Sequence, residues 1–545
     1  MKYRTFFLVI IIAGCLSCNF PQQFSEQQDS RTIFIVDRGI SEKEVAEIRR
    51  LMREIDETFD ESRPDHALHI ETPLDNALFP IDIASPVIRW TDDHAETRVW
   101  FVRVSFEGTA ETFSYLTENP FWIPDAGVWD AVKRRSVGGK AQCDIVGVAM
   151  GKGIRIVSRG GISFSTSQDR VGDGLFYLQM PLPFSYARAH PELFRWSLAD
   201  LSSYTDPPVV LYDIPLCANC HSFSRDGAVM GLDIDYRGDK GSYILAGVKK
   251  TMNVSPRDII SWNDCPQTRD NVMSFGFFPK ISPRGDYVIA TVDEKSFFVQ
   301  RNDPAFSQFF FLADGKIAWY SVAGRTFSLL PGADNPAYVQ TCPEWSPDGR
   351  TIVFSRAPVD DALVAMVDEK KTRSIDPGTS IEKLGRRFHI EYDLYRIPFN
   401  EGRGGEPVPV TGASNNGMSN YFPRWSPDGK WILFCRSDNG LALQPDSRLC
   451  IVPAAGGEAR ELAANRPLMN SWHSWSSNGK WIVFSSKDAT KPFTAFYLCH
   501  IDSDGRASVP VLLDRLQDRD VTNMVPEFVS LQEGGIASIH MSGIE

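Results

Sequence analysis

Hydrophobic and polar positions alternate along most of this chain, and only one early stretch breaks the rule. SEKEVAEIRRLMREIDETF (41–59) places apolar residues at Val45, Ile48, Leu51 and Ile55, with Ser41 and Glu44 in the spacing of a capping box. That spacing predicts one amphipathic helix. From about 68 to 182, segments such as VIRWTD, TRVWFVRVSF, DIVGVAM, IRIVSR and LFYLQM alternate with a period of two between Gly, Asp and Ser punctuation. This pattern predicts a β-sandwich of the fibronectin or immunoglobulin kind, with Trp90 in its core and GKGIRI (151–156) as a hairpin turn.

Beyond about 205 the patterning repeats. CHSFSRDG (220–227), FPKISPRG (278–285), CPEWSPDG (342–349), FPRWSPDG (422–429) and WHSWSSNG (472–479) share a hydrophobic-Ser-x-x-Gly core, each followed by a β-branched or aromatic run. Each copy predicts a strand, a tight turn and a returning strand. A sixth copy lies at VPEFV (525–529), with Pro526 in the position of Pro279, Pro343 and Pro423. The corresponding residues of the other two copies are His221 and His473, and successive positions are 58, 64, 80, 50 and 53 residues apart. These intervals suit four-stranded blades with insertions. Only 19 residues follow Pro526. Strands ahead of His221, such as PPVVLYDI (207–214), are therefore expected to complete the last blade.

The WSPDGK-type repeats resemble the TolB-like six-bladed β-propeller, a WD40-like repeat architecture, over roughly the last 340 residues. LCANCHSFSRDG, YDLYRIPFN, NGMSNYFPRWSPDGKWILFC, LALQPDS and MNSWHSWSSNGKWIVFSSK are similar to a group of uncharacterised bacterial TolB-like lipoproteins that carry a cytochrome-type motif. The resemblance implies a mainly β fold and says little about activity.

Charge narrows the partners. With 57 Lys+Arg against 69 Asp+Glu the net charge is -12, which argues against nucleic acid. The start, MKYRTFFLVIIIAGCLSCNF, has a basic end and an apolar core too short to span a bilayer, as an export signal does. Ile12-Ala13-Gly14-Cys15 resembles a bacterial lipobox, with Cys18 as a weaker alternative to Cys15 for the lipid. The expected organisation is a signal peptide (1–14), a lipid-anchored tether plus helix (15–67), a β-sandwich (68–182) and the propeller (205–545). An acyl anchor implies a periplasmic location, with Leu16 favouring the outer membrane by analogy with enteric bacteria.

Cys217-Ala218-Asn219-Cys220-His221 fits the c-type haem attachment signature, in which two thiols bind the haem vinyl groups and the imidazole ligates iron. Random placement of 10 Cys and 9 His would give the pattern about 0.003 times. A zinc site, a redox-active dithiol and a structural disulfide or vestigial motif are the alternatives. Repeat alignment puts His221 and His473 in one position of two blades, at the same end of the channel. His221 is the expected proximal ligand and His473 a candidate for the sixth, unless it bonds the backbone there instead. Met418, Met469 and Met524 are thioether alternatives or core filler. The remaining cysteines, Cys143, Cys265, Cys342, Cys435, Cys450 and Cys499, lack metal-like spacing, and GxSxG, HExxH, P-loop and EF-hand patterns are absent. Three functions stay open: an electron-transfer haem protein serving an envelope partner, a binding or scaffold propeller with a structural CxxCH, and a haem enzyme with an open iron.

Overall fold

The computed structural model describes residues 32–34, 42–59, 66–150, 154–214, 218–269, 272–301, 303–369, 380–487, 492–518, 520–531 and 535–544. The expected signal peptide, Cys15, Cys18 and Cys217 lie outside them. The fold is mainly β, with 36 strands and five α-helices among the described residues. No helix among them is long and apolar enough to cross a membrane. Two compact units divide between Arg170 and Val171.

In the first unit the predicted helix is present as α1 (Glu42–Thr58). Met52 and Ile55 of α1, with Phe59 just beyond it, are buried on Val99, Phe101, Leu116, Val146 and Val148, alternate residues of a seven-stranded sheet. The opposite face of that sheet meets a three-stranded one through Trp90 against Trp100 and Tyr115 against Trp122. This layering differs from the expected immunoglobulin-type sandwich. Thr32–Phe34, His66–Ala67 and Ala77–Pro80 join the large sheet in parallel. A period-two pattern reports half-buried strands but not their order or direction. Strands Ala141–Met150 and Ile154–Ser167 pair antiparallel, and the turn expected from GKG (151–153) lies outside the described residues.

The second unit is a β-propeller. Among its described residues are six four-stranded antiparallel sheets. Their first strands in the repeat are β1 (Ala218–Phe223), β2 (Phe277–Ile281), β3 (Tyr338–Trp345), β4 (Ser419–Trp425), β5 (Leu468–Trp475) and β6 (Thr522–Val529). Within the sheet of β6 the other three strands come from earlier in the chain: Gly174–Met180, Arg195–Asp200 and Val209–Leu211. The expected contribution of 207–214 is therefore one strand of three, and the propeller begins near 171 rather than 205. LFYLQM belongs to the propeller and not to the N-terminal unit. The 80-residue interval before β4 contains helices Asp361–Glu369 and Ile381–Arg387, and the 64-residue interval before β3 a hairpin of two 14-residue strands.

The Ser-x-x-Gly core is a hydrogen-bonded turn. Ser224, Ser282, Ser346, Ser426 and Ser476 each accept the N–H of the residue five positions on, at 2.9–3.0 Å. Ser346 also donates to Asp348 at 2.6 Å, while Gly349 holds a φ of 70°, which favours glycine. Because the Ser346 hydroxyl is buried and doubly bonded, Ser346→Ala is expected to destabilise the propeller by about 1–2 kcal/mol. An unfolding midpoint equal to wild type would contradict this role.

Candidate haem-attachment site and channel

Every repeat strand is bulged at the same place. Register shifts fall between Ala218 and His221, Phe277 and Lys280, Thr341 and Glu344, Tyr421 and Arg424, Ser471 and His473, and opposite Phe176/Leu178 on β6. The residue preceding the aligned Pro or His has positive φ in five copies: Phe278 56°, Cys342 51°, Phe422 51°, Trp472 34° and Val525 50°. Such backbone is costly for non-glycine residues and persists only where surroundings enforce it. Proline suits the next position because a bulge leaves a ladder N–H unused. Phe278 and Phe422 meet with ring centroids 5.1 Å apart, so side chains from β2 and β4 converge at this level.

Cys220 is the bulge residue of β1, without the positive φ of its five counterparts. Its thiol is half-buried and free. Burial first, then nearby Asp233, pushes its pKa up, so it is protonated at neutral pH. Asp233, on the partner strand, is itself pushed well above the carboxylate range by burial, against the lowering effect of Cys220 and Lys280.

His221 is 1% exposed, and neither ring nitrogen completes a hydrogen bond of normal geometry. Its ring packs edge-on to Phe176 at 4.7 Å and to Phe223 at 6.4 Å. Burial, with Lys280 and Arg424, lowers its pKa to about 4 against the opposing effect of Glu527. His473 is 3% exposed; its Nδ1 lies 3.8 Å from Cys435 Sγ, its Nε2 completes no hydrogen bond of normal geometry, and the Leu433 and Phe422 backbone acts on the ring, in keeping with the alternative that it bonds the backbone. Burial and then Arg424 lower its pKa to about 3. Both imidazoles are thus neutral and hold lone pairs. They lie on different neighbours: Phe176 belongs to the sheet of β6, Cys435 to that of β4. No described ring contact joins them.

One position further along each strand is a feature that sequence reasoning missed. Lys280, Glu344, Arg424 and Glu527 all follow an aligned proline. Arg424 bridges Glu344 at 2.8 Å and Glu527 at 3.2 Å, and Glu527 also meets Lys280 at 3.7 Å. The network ties β2, β3, β4 and β6 with equal numbers of each charge. In the remaining copies the position is serine: Ser222 accepts the N–H of Ile281, and Ser474 that of Phe528, each at 3.0 Å. Despite the desolvation that raises it, Glu527 is held down to about 2 by Lys280 and Arg424. The aligned repeats carried the signal as KI, EW, RW and EF after proline.

The other cysteines, Cys143, Cys265, Cys342, Cys435, Cys450 and Cys499, are buried and free. Met418, Met469 and Met524 lie just before or within β4, β5 and β6, and Met469 is fully buried. Among the described residues no group of three or more His, Cys, Asp or Glu side chains is arranged to hold a metal ion.

Two predictions follow from the buried charges. Glu527→Gln leaves Lys280 and Arg424 short of a counter-charge and is expected to cost about 3–5 kcal/mol, measured by denaturant unfolding; a loss below about 1 kcal/mol would mean that water already screens the pair. The second concerns acid. Both histidines bind protons less readily folded than unfolded, so haem-free protein should lose stability as pH falls below 6.5 towards 4 and 3. The slope should reach about 1.4 kcal/mol per pH unit per histidine, and Glu527 adds a further loss below 4.5. Stability independent of pH between 7 and 5 would contradict the neutral assignment.

No protein-family model matches the chain, and no curated protein does. Similar solved structures include a gluconolactonase from Xanthomonas campestris (14% identity, 62% of this chain and 85% of that one, TM-score 0.31). A puromycin hydrolase is 17% identical over 62% of this chain and 45% of its own, with a TM-score of 0.32. Kuenenia stuttgartiensis hydrazine synthase is 15% identical over 57% and 71%, with a TM-score of 0.29. At these values none assigns an activity, and the functional argument rests on the residues of this chain.

Proposed function

We propose that this chain is a lipid-anchored, extracytoplasmic six-bladed propeller that carries one c-type haem and passes electrons to or from another component of the cell envelope. The observation that carries the reading is His221: a buried, neutral imidazole directly after Cys220 in a CxxCH motif, neither nitrogen of which completes a hydrogen bond of normal geometry although the Val525 backbone lies close enough to act on it. A buried polar group so poorly satisfied calls for an explanation, and a ligand bond to a metal supplies one. The zinc reading fits less well. A zinc site requires further ligands around the motif.

In this reading Cys217 and Cys220 would hold the haem through thioether bonds and His221 would ligate its iron. When bound, the haem supplies reversible one-electron chemistry at iron. Phe176 and Phe223 pack edge-on to the His221 ring, and the paired charges of Lys280, Glu344, Arg424 and Glu527 act on it without net charge. His473 would be the candidate second iron ligand; its seating on Cys435 and on the Leu433 and Phe422 backbone is a competing structural role. Cys15 is the proposed lipid site, consistent with an oxidising compartment where c-type haem is attached.

Protein produced in a host able to attach c-type haem is expected to show a Soret band that survives denaturation. Cys220→Ala should weaken covalent attachment, and His221→Ala should change the axial-ligand spectrum. Absence of any covalent Soret band would remove both haem readings and leave the scaffold propeller. His473→Ala should alter the spectra if it is the sixth ligand, and unchanged spectra would exclude it.

A further inference from the structure

The hairpin in the sheet of β2 is longer than the blade that holds it. Its strands, Tyr287–Gln300 and Gln308–Ser321, pair along their whole length, but β2 flanks only residues 288–291 and Thr326–Leu329 only residues 318–321. Register shifts between Val292 and Lys295 and between Lys295 and Ser296 separate this blade half from a distal half. Among the described residues the distal half has no neighbouring strand in its own sheet. Asp293, at the junction, has a φ of 55° and is pinned by Lys316 at 2.6 Å and Arg269 at 2.8 Å.

The distal half rests on other blades. Phe310 forms an isolated bridge with Leu441, next to the sheet of β4, and Tyr392, next to the sheet of β3, donates its hydroxyl to the Leu312 carbonyl at 3.2 Å. Ser307 accepts the N–H of Phe184, beside the sheet of β6, at 3.1 Å. Phe306 lies 5.5 Å from Lys487 in the sheet of β5, three sheets further round than β2. A segment that starts on one blade and meets these four crosses the channel. Beneath it are the bulges: Phe310 packs on Phe278 at 6.1 Å, and Cys342 shares an apolar cluster with Phe310. Cys220 is their counterpart on β1.

Side-chain packing is what secures the distal half, for Phe297 meets Phe311 at 4.9 Å and Phe388 at 5.0 Å, all three buried. A segment held by packing rather than by strand pairing can open as a unit of its own, at less cost than unfolding its blade. We propose that the distal half of this hairpin is a lid over the channel, hinged at residues 292–296, and that solvent reaches the Cys220 thiol only when the lid lifts. Whatever becomes attached to Cys220 is then attached before the lid docks or while it is raised. The proposal treats Cys220 as a thiol and does not depend on the haem reading.

Hydrogen exchange and alkylation of the full chain, reduced and made without haem attachment, test it together. Amides of 296–300 and 308–312 should exchange as one group, at least about tenfold faster than those of 287–291 and 317–320. Iodoacetamide, with the modified residue located by peptide fragmentation, should react with Cys220 through the same opening. Phe297→Ala should speed lid exchange at least about tenfold and Ser307→Ala, which removes the tip's bond to Phe184, about threefold. Cys220 alkylation should rise by the same factor in each variant, while Cys450, buried in a separate cluster, keeps its rate. Ser307→Ala and the wild-type exchange pattern keep the test decisive if Phe297→Ala does not fold. A distal half as protected as the blade half, or Cys220 alkylation unchanged when lid exchange rises, would overturn the proposal.

Discussion

A bulge repeated on each of six strands is the constraint on which the rest of the second unit depends. Two residues are accommodated opposite one, which turns the backbone and re-aims the side chains. The aligned prolines, the positive φ at Phe278, Cys342, Phe422, Trp472 and Val525, and the position of the CxxCH motif all express this one irregularity. At the position before the aligned residue β1 and β3 place a thiol, Cys220 and Cys342, and the other copies Phe, Trp or Val; where four place proline, β1 and β5 place histidine. A motif that could have sat in any loop therefore stands where side chains from different sheets converge.

Burial explains the chemistry at that level. The channel charges survive desolvation because Arg424 serves two carboxylates and Glu527 two cations, so removal of any one partner leaves an uncompensated charge. The same surroundings keep His221 and His473 unprotonated and Cys220 a thiol, and push Asp233 well above the carboxylate range. A neutral imidazole beside a protonated thiol suits ligation better than thiolate catalysis.

Turns and repeat positions were legible in the sequence because they are local: Ser346, Asp348 and Gly349 meet within four residues. Pro526 was enough to place β6. Of its partners Val209–Leu211 was legible within PPVVLYDI, but Gly174–Met180 and Arg195–Asp200 were not, since Gln179 and Asn523 hydrogen-bond across 344 residues and neither flank carries a turn motif. Alignment also fixes height along the channel but not the direction a ring takes, so His221 and His473 share a level yet pack on Phe176 and Cys435. The charged network was legible one residue past each proline, where it was obscured by the turn immediately after. In the first unit the alternating pattern identified strands, but the parallel edge pairings and the helix-covered face depend on contacts that no short window contains.

The most direct test of the central claim is the mass of the proteolytic peptide that contains Cys217, Cys220 and His221, from protein made where c-type haem can be attached. The account predicts that this peptide carries the mass of one haem through thioether bonds that resist reduction. An unmodified peptide, or two cysteines joined only by a reducible disulfide, would contradict it.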